Sequence, residues 1–380
     1  MLPARMRPAV ALVALVTLLA LVAVSCAHKE HAPESTAPVL DVSAVAALIP
    51  SKVNDRDGWA EDIVSAIHLV KKEPTAERVC AVVAVIEQES GFQADPAVAD
   101  LPAIVRRGIA KKVERLGPLA GPTVDAILDS TGPDSDLTFR ARIDKLHTER
   151  DLDRLFRDVT KAVVAKMPGV VALLSGGAIE DLNPVTTSGS MQVKVSFARS
   201  LEKNASDEDV RELLYTRAGG VRFGTARLIG YQAAYDDIRY RFADFNAGAY
   251  SSRNAAFQMM LGDLVGAQLV QDGDVLAYDK SGDVAEDSNT LKALLAFGAV
   301  HDLSSFRVHR DAKTEKTEAF EDTDSYKAVA AAWSEKMGTP APYAKIPDVS
   351  LSSPKLSKPR TTAWYAASVK RRYDTCRALL

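Results

Sequence analysis

The chain has little of the material from which metal centres and cysteine frameworks are built, with three cysteines and six histidines in 380 residues. That excludes a thiolate-rich zinc or iron–sulfur module and a disulfide-dense scaffold as its organising principle. His28 and His31 lie close together in a proline-bearing stretch, lack further ligands, and read as solvated linker histidines. Excess positive charge is missing too. The formal net charge is -3, and the segment before Cys26 holds Arg5 and Arg7 with no acid, so the rest of the chain is more negative still. Nothing electrostatic points to nucleic acid as a partner. There is no phosphate loop, dinucleotide fingerprint, Gly-x-Ser-x-Gly elbow or internal repeat. No apolar run reaches the roughly 20 residues a membrane-spanning helix needs. What is present is ample apolar content, 47% of residues, which is enough for one large domain or two smaller ones.

The N-terminus carries an export pattern. Arg5 and Arg7 precede an apolar stretch from Ala9 to Val24, broken only by Thr17 and closing on Ala23-Val24-Ser25-Cys26. A cysteine directly after a small residue resembles the bacterial lipobox, although Ala23 stands where that pattern usually has Leu. Cys26 is therefore the expected lipidation site and membrane anchor, with ordinary cleavage as the alternative. The absence of Asp after Cys26 resembles outer-membrane sorting in a Gram-negative envelope. Residues 1–25 read as a signal peptide and 26–42 as a polar, proline-bearing tether. In an oxidising periplasm Cys80 and Cys376 are candidates for a disulfide, with a buried free thiol at Cys80 as the other reading.

The remainder reads as mainly α. Trp59, Ile63, Ile67 and Val70 recur at helical spacing, and a second helix after Pro74 buries Val79, Val82, Val83 and Ile86 and ends on Glu89. A carboxyl group at the end of such a helix can be held protonated, as a general acid requires. Glu87 falls on a different face of that helix. Between Asp100 and Pro184 several more helices are expected, one with Leu152, Leu155, Phe156, Val159 and Val163 inward and its charges on a solvated face with local ion pairs. Ser206 is a candidate N-cap. Gly219-Gly220 is expected to break the chain before a helix entered at Phe223-Gly224-Thr225. Asp272–Tyr278 reads as a turn with a short strand, lacking the ligand spacing of a calcium loop. The stretch around Ser350–Arg360 reads as a loop, and Ala363–Leu380 as a final helix.

Three islands in order carry a resemblance. Glu89-Ser90-Gly91-Phe92, Gly189-Ser190-Met191-Gln192 and Phe245-Asn246-Ala247-Gly248, with the Gly224-Thr225 helix entry, resemble the soluble lytic transglycosylases, which have a lysozyme-like fold. The family's usual islands are Glu-Ser-x-Phe, Gly-Leu-Met-Gln and Ala-Tyr-Asn-Ala-Gly. The resemblance implies a lysozyme-like helical domain over 43–260 with a large helical insertion at about 100–184. The remaining 261–380 would be a C-terminal extension, packed on the same domain or apart from it. It also implies Glu89 as the catalytic acid/base, Ser90 supporting the substrate or the glutamate, Met191 and Gln192 lining the glycan cleft, and Asn246 with Gly248 shaping its far wall. For Met191 core packing is the alternative, and for Asn246-Ala247-Gly248 a helix stop. Phe245 replaces the family's tyrosine, and Tyr250 is the candidate replacement for that phenol. The whole chain further resembles a group of uncharacterised bacterial lipoproteins of unknown function.

The implied reaction cuts peptidoglycan between muramic acid and N-acetylglucosamine with a single carboxyl group. Glu89 protonates the bridging oxygen, the N-acetyl group of muramic acid assists departure, and the same carboxylate then removes the C6 hydroxyl proton to close a 1,6-anhydro ring. This needs no metal or cofactor. A hydrolytic muramidase would require a second carboxylate to hold water, with Asp95, Asp181 or Asp244 as weak candidates. A catalytically inactive glycan-binding or scaffolding lipoprotein is the remaining alternative. Protein partners cannot be read from the sequence.

Overall fold

A computed structural model describes residues 37–117, 120–132, 135–166, 182–279, 284, 288–351 and 359–380. The signal segment, Cys26, His28, His31 and Asp181 lie outside the described residues. Val39–Leu380 forms one compact unit. Among the described residues the fold is mainly α, with sixteen α-helices and four two-residue strands, and no helix is long and apolar enough to cross a membrane.

Three helices open the fold: α1 (Val42–Leu48), α2 (Arg56–Leu69) and α3 (Ala76–Glu89). Every residue of α3 from Val79 to Ile86 is buried, as expected of a helix that is apolar nearly all round and runs through a core. The helix stops because Gly91 takes a left-handed φ of 59° and returns its N–H to the Ile86 carbonyl. Phe92 then turns back and packs edge-on against Trp59 of α2, with ring centroids 5.2 Å apart.

The next stretch holds α4 (Leu101–Leu116), α5 (Ala120–Leu128), α6 (Phe139–Ile143) and α7 (Glu149–Lys166). They share a small core of their own around Leu101, Phe139, Ile143, Leu146 and Leu155. The charges of α7 differ from the expected solvated face. Asp153 is buried and bonded to Arg157, Asn183 and Arg211. Arg150, Arg154 and Arg157 all converge on Glu212, a residue of a different helix. Local helix periodicity cannot foresee such pairing, because the partner acid lies far along the chain.

An antiparallel pair, β1 (Thr187–Ser188) and β2 (Val193–Lys194), follows. Then come α8 (Val195–Leu201), α9 (Asp207–Leu214), α10 (Arg217–Ile229) and α11 (Ile238–Ala247). Ser206 caps α9 as expected, its hydroxyl accepting from the Asp209 N–H. Gly219-Gly220, expected as a break, instead lie in the first turns of α10, whose N-cap is Thr216. The β1–β2 turn explains why glycine is tolerated there. A Cβ on Gly220 would come within 2.7 Å of the Ser190 hydroxyl, and one on Gly224 within 2.1 Å of the Met191 sulfur. The small residues of α10 are a seat for the turn.

A second apolar core is built by α12 (Ser251–Val265), α13 (Asn289–Val300), α14 (Ser305–Ala312) and α15 (Asp324–Met337), around Phe257, Phe297, Phe320 and Trp333. At its edge Glu315 accepts from the N–H groups of Val275 and Leu276 and from the Tyr278 hydroxyl, which fixes the Asp272–Tyr278 turn. Finally β3 (Ser350–Leu351) pairs with β4 (Arg360–Thr361), and α16 (Thr362–Arg377) returns to the first core. Tyr365, Ala366 and Val369 of α16 are buried there, and a disulfide between Cys80 and Cys376, 296 residues apart, ties α16 to α3.

Candidate functional site

A cleft of about 660 Å³ opens at the C-terminal end of α3. Glu89, the last residue of that helix, lines it, half-buried. Gln192 from the β1–β2 turn and Phe245 and Asn246 from the end of α11 line it as well. The three islands singled out in the sequence therefore converge on one depression. Pro96–Ala99 and Glu149 add to the lining, and a further wall comes from a segment no motif marked, the β3–β4 pair and the start of α16.

Each side chain is held by identifiable contacts. Gln192 has a left-handed φ of 48°, closing the turn with its N–H on the Gly189 carbonyl. Its amide donates to Glu149 Oε2 at 2.8 Å and accepts from the Thr187 hydroxyl at 3.1 Å. Asn246 accepts from the Thr362 hydroxyl at 3.0 Å, which joins the end of α11 to the start of α16. Gln88 accepts from Ser368, a second tie between α3 and α16. The Phe245 carbonyl accepts from Arg227 Nε at 3.1 Å. Burial lowers the Arg227 pKa from its usual value.

Other expected residues sit behind the cleft. Ser90 donates to the Ile86 carbonyl and accepts from the Gln93 N–H, so its hydroxyl shapes the turn after Glu89. Met191 is fully buried against Gly224, which is the core-packing alternative. Gly248, at φ 145°, ends α11 with its N–H on the Asp244 carbonyl. Tyr250 packs on Tyr231 and under the Arg253 guanidinium, and burial pushes its phenol up to about 12. It is absent from the described cleft lining. Asp244 is buried beneath Tyr231, Tyr235 and the Ser252 N–H, holding the loop after α11. Asp95 is half-buried, its pKa raised chiefly by desolvation, and it too is outside that lining.

Sequence reasoning missed several lining residues, three of which bear directly on the chemistry. Tyr365 on α16 is buried, and its pKa is raised well above 10, first by burial and then by the charge and hydrogen bonding of Glu89. The contact stops short of full hydrogen-bond geometry, leaving the hydroxyl poised beside the carboxylate. Trp364, 37% exposed, presents an indole to the cleft with the Arg360 guanidinium 4.5 Å from its ring centroid. Glu149, at the first turn of α7, is a second carboxylate in the lining and only 3% exposed. An alternating pattern or a capping box could not have flagged them. Tertiary packing alone brings them here.

The class so defined is a mainly α-helical protein with a glutamate-centred cleft, one wall of which is its own C-terminal helix. The chain belongs to the family described as a protein of unknown function, DUF1615, whose model matches residues 52–378. It is similar to the uncharacterized protein YaiW of Escherichia coli (strain K12), 36% identical over 337 residues, covering 88% of each chain. No solved structure matches it.

Proposed function

We propose that the protein is a peptidoglycan lytic transglycosylase, built on a lysozyme-like core and held by a lipid at Cys26 to the periplasmic face of the outer membrane. The observation that carries this reading is the meeting of Glu89, Gln192 and Asn246 in one cleft, one residue from each of the three islands behind the transglycosylase resemblance. A partly exposed indole in the same cleft as Glu89 suits a pyranose ring, whose C–H face packs on aromatic surfaces.

In this mechanism Glu89 gives its proton to the bridging oxygen as the N-acetyl group assists departure. The resulting carboxylate takes the C6 hydroxyl proton, and that oxygen closes on C1 to form the anhydro ring. The bond broken is the glycosidic C1–O bond, the bond made is C1–O6, and no water is consumed. Tyr365, neutral at any working pH, offers its O–H to the carboxylate and supplies the phenol that Phe245 lacks. Gln192 and Asn246 present amide groups to the sugar.

One observation favours a second reading. Glu149 gives the cleft another carboxylate, as a hydrolytic muramidase would need to hold its water. Mass analysis of products from peptidoglycan separates the cases: anhydro ends support the transglycosylase, products heavier by one water the hydrolase, and binding without products an inactive glycan-binding lipoprotein.

A further inference from the structure

Three cationic side chains reach the cleft from three separate elements: Lys194 from β2, Arg227 from α10 and Arg360 from β4. None of the three has a carboxylate bonding partner among the described residues. Other arginines carry acid partners, as Arg217 does with Asp55 and Asp62 and as Arg150, Arg154 and Arg157 do with Glu212. Arg227 spends its Nε on the Phe245 carbonyl and lies over the Phe197 ring. Arg360 lies over the Trp364 indole. Lys194 feels the charge of Asp274, but that acid is already bonded to Lys316.

The lining also holds two acids: Glu149, which accepts from the neutral Gln192 amide and keeps its charge, and Glu89, which is uncharged as the general acid of the proposed reaction. The cleft thus sets three cations against one charged carboxylate in a chain whose formal net charge is -3. Cations kept unpaired in a concave, partly desolvated site are unfavourable until an anion arrives, and the arriving anion gains charge-assisted hydrogen bonds. Arg360 lies over one face of the Trp364 indole, so a cation and an aromatic surface share one edge of the cleft.

We propose that the cleft selects glycan strands through a carboxylate borne on the sugar chain, seated on Lys194 and Arg360 beside the Trp364 ring. The proposal rests on the glycan-cutting reading of the same cleft and deepens it. A neutral N-acetylglucosamine polymer lacks the group these cations need. Muramic acid supplies it in two ways: a free lactyl carboxylate where the peptide has been removed, or the acidic residues of an attached peptide stem.

The test is equilibrium binding by calorimetry, using the full mature chain carrying Glu89→Gln so that the ligand is not consumed. The probes are a chitin hexamer, a muramic-acid-containing glycan of equal length stripped of peptide, and the same glycan bearing its stems. At least one muramic-acid glycan is expected to bind about tenfold more tightly than chitin, a preference that weakens with salt. Lys194→Gln combined with Arg360→Gln is expected to erase that preference, with an unchanged melting temperature showing that the fold is kept. Tighter binding of the stripped strand assigns the lactyl carboxylate, and tighter binding of the stemmed strand assigns the peptide. Equal affinity for all three probes, or equal weakening of all three by the double variant, overturns the proposal. Loss of the proposed catalysis alone leaves it standing, because the preference is measured without turnover.

Discussion

Tyr365 lies against Glu89 although the two belong to opposite ends of the chain, and the phenol is buried on the last helix while the carboxyl group ends the third. The helix that brings the tyrosine also carries Trp364 into the cleft and binds Gln88 and Asn246 through Ser368 and Thr362. The site is therefore completed by the C-terminus.

Replacing Tyr365 by Phe removes the hydroxyl and keeps the ring. Product formation is expected to fall roughly fivefold to tenfold, the worth of about one hydrogen bond in the transition state. Chemical unfolding should shift by less than ~1 kcal/mol, since the hydroxyl makes no full bond in the free protein. An unchanged rate would remove Tyr365 from the mechanism.

The disulfide between Cys80 and Cys376 closes a long loop, with a sequence separation of 296 in a chain of 380 residues. Cys376→Ser is expected to cost about 2–5 kcal/mol of stability, as losses of native bridges commonly do. Because α16 forms one wall of the cleft, activity should fall at temperatures where the fold itself persists. A melting curve indifferent to reductant would contradict this role.

Stability should depend on acid through Glu212. Burial alone would raise its pKa, but the hydrogen bonds and charges of Arg154 and Arg150 reverse that and bring it down from 4.5 to about 2. A carboxylate depressed in the fold stabilises above its unfolded pKa, and that contribution is lost as pH falls through the folded value. The melting temperature should thus decline between about pH 4.5 and about pH 2. Glu212→Gln should melt lower at neutral pH and vary less over that window, and parallel pH profiles for the two proteins would show that the arginine cluster adds nothing.

Anchoring is tested by Cys26→Ser. The variant should leave the membrane fraction and appear in the soluble periplasm, because a diacylated cysteine binds stably and no helix among the described residues is long and apolar enough to cross a membrane. Retention in the membrane fraction would point to the apolar stretch before Cys26 as an uncleaved anchor.

How far the sequence discloses this molecule varies by element. The apolar spacing of Val79, Val82, Val83 and Ile86 fixes α3 and puts Glu89 at its end, and Ser206 marks the start of α9 by its side-chain oxygen alone. Gly219-Gly220 mislead, since glycine disfavours a helix in isolation but is required where the Leu213 carbonyl presses on Gly219 and the β1–β2 turn presses on Gly220. Gln192 and Asn246 are legible as pieces of ordered islands. Tyr365, Trp364, Arg360 and Glu149 carry no local signal, and they enter the cleft only through long-range packing and the Cys80–Cys376 bridge.

The central claim meets its most direct test in the mass of the products that the mature protein and its Glu89→Gln variant release from purified peptidoglycan. The account predicts muropeptides ending in 1,6-anhydro-muramic acid from the native protein, and a loss of at least about a hundredfold in the variant, the usual scale for removing a general acid. Sugar ends that have taken up water, or equal anhydro product from both proteins, would contradict it.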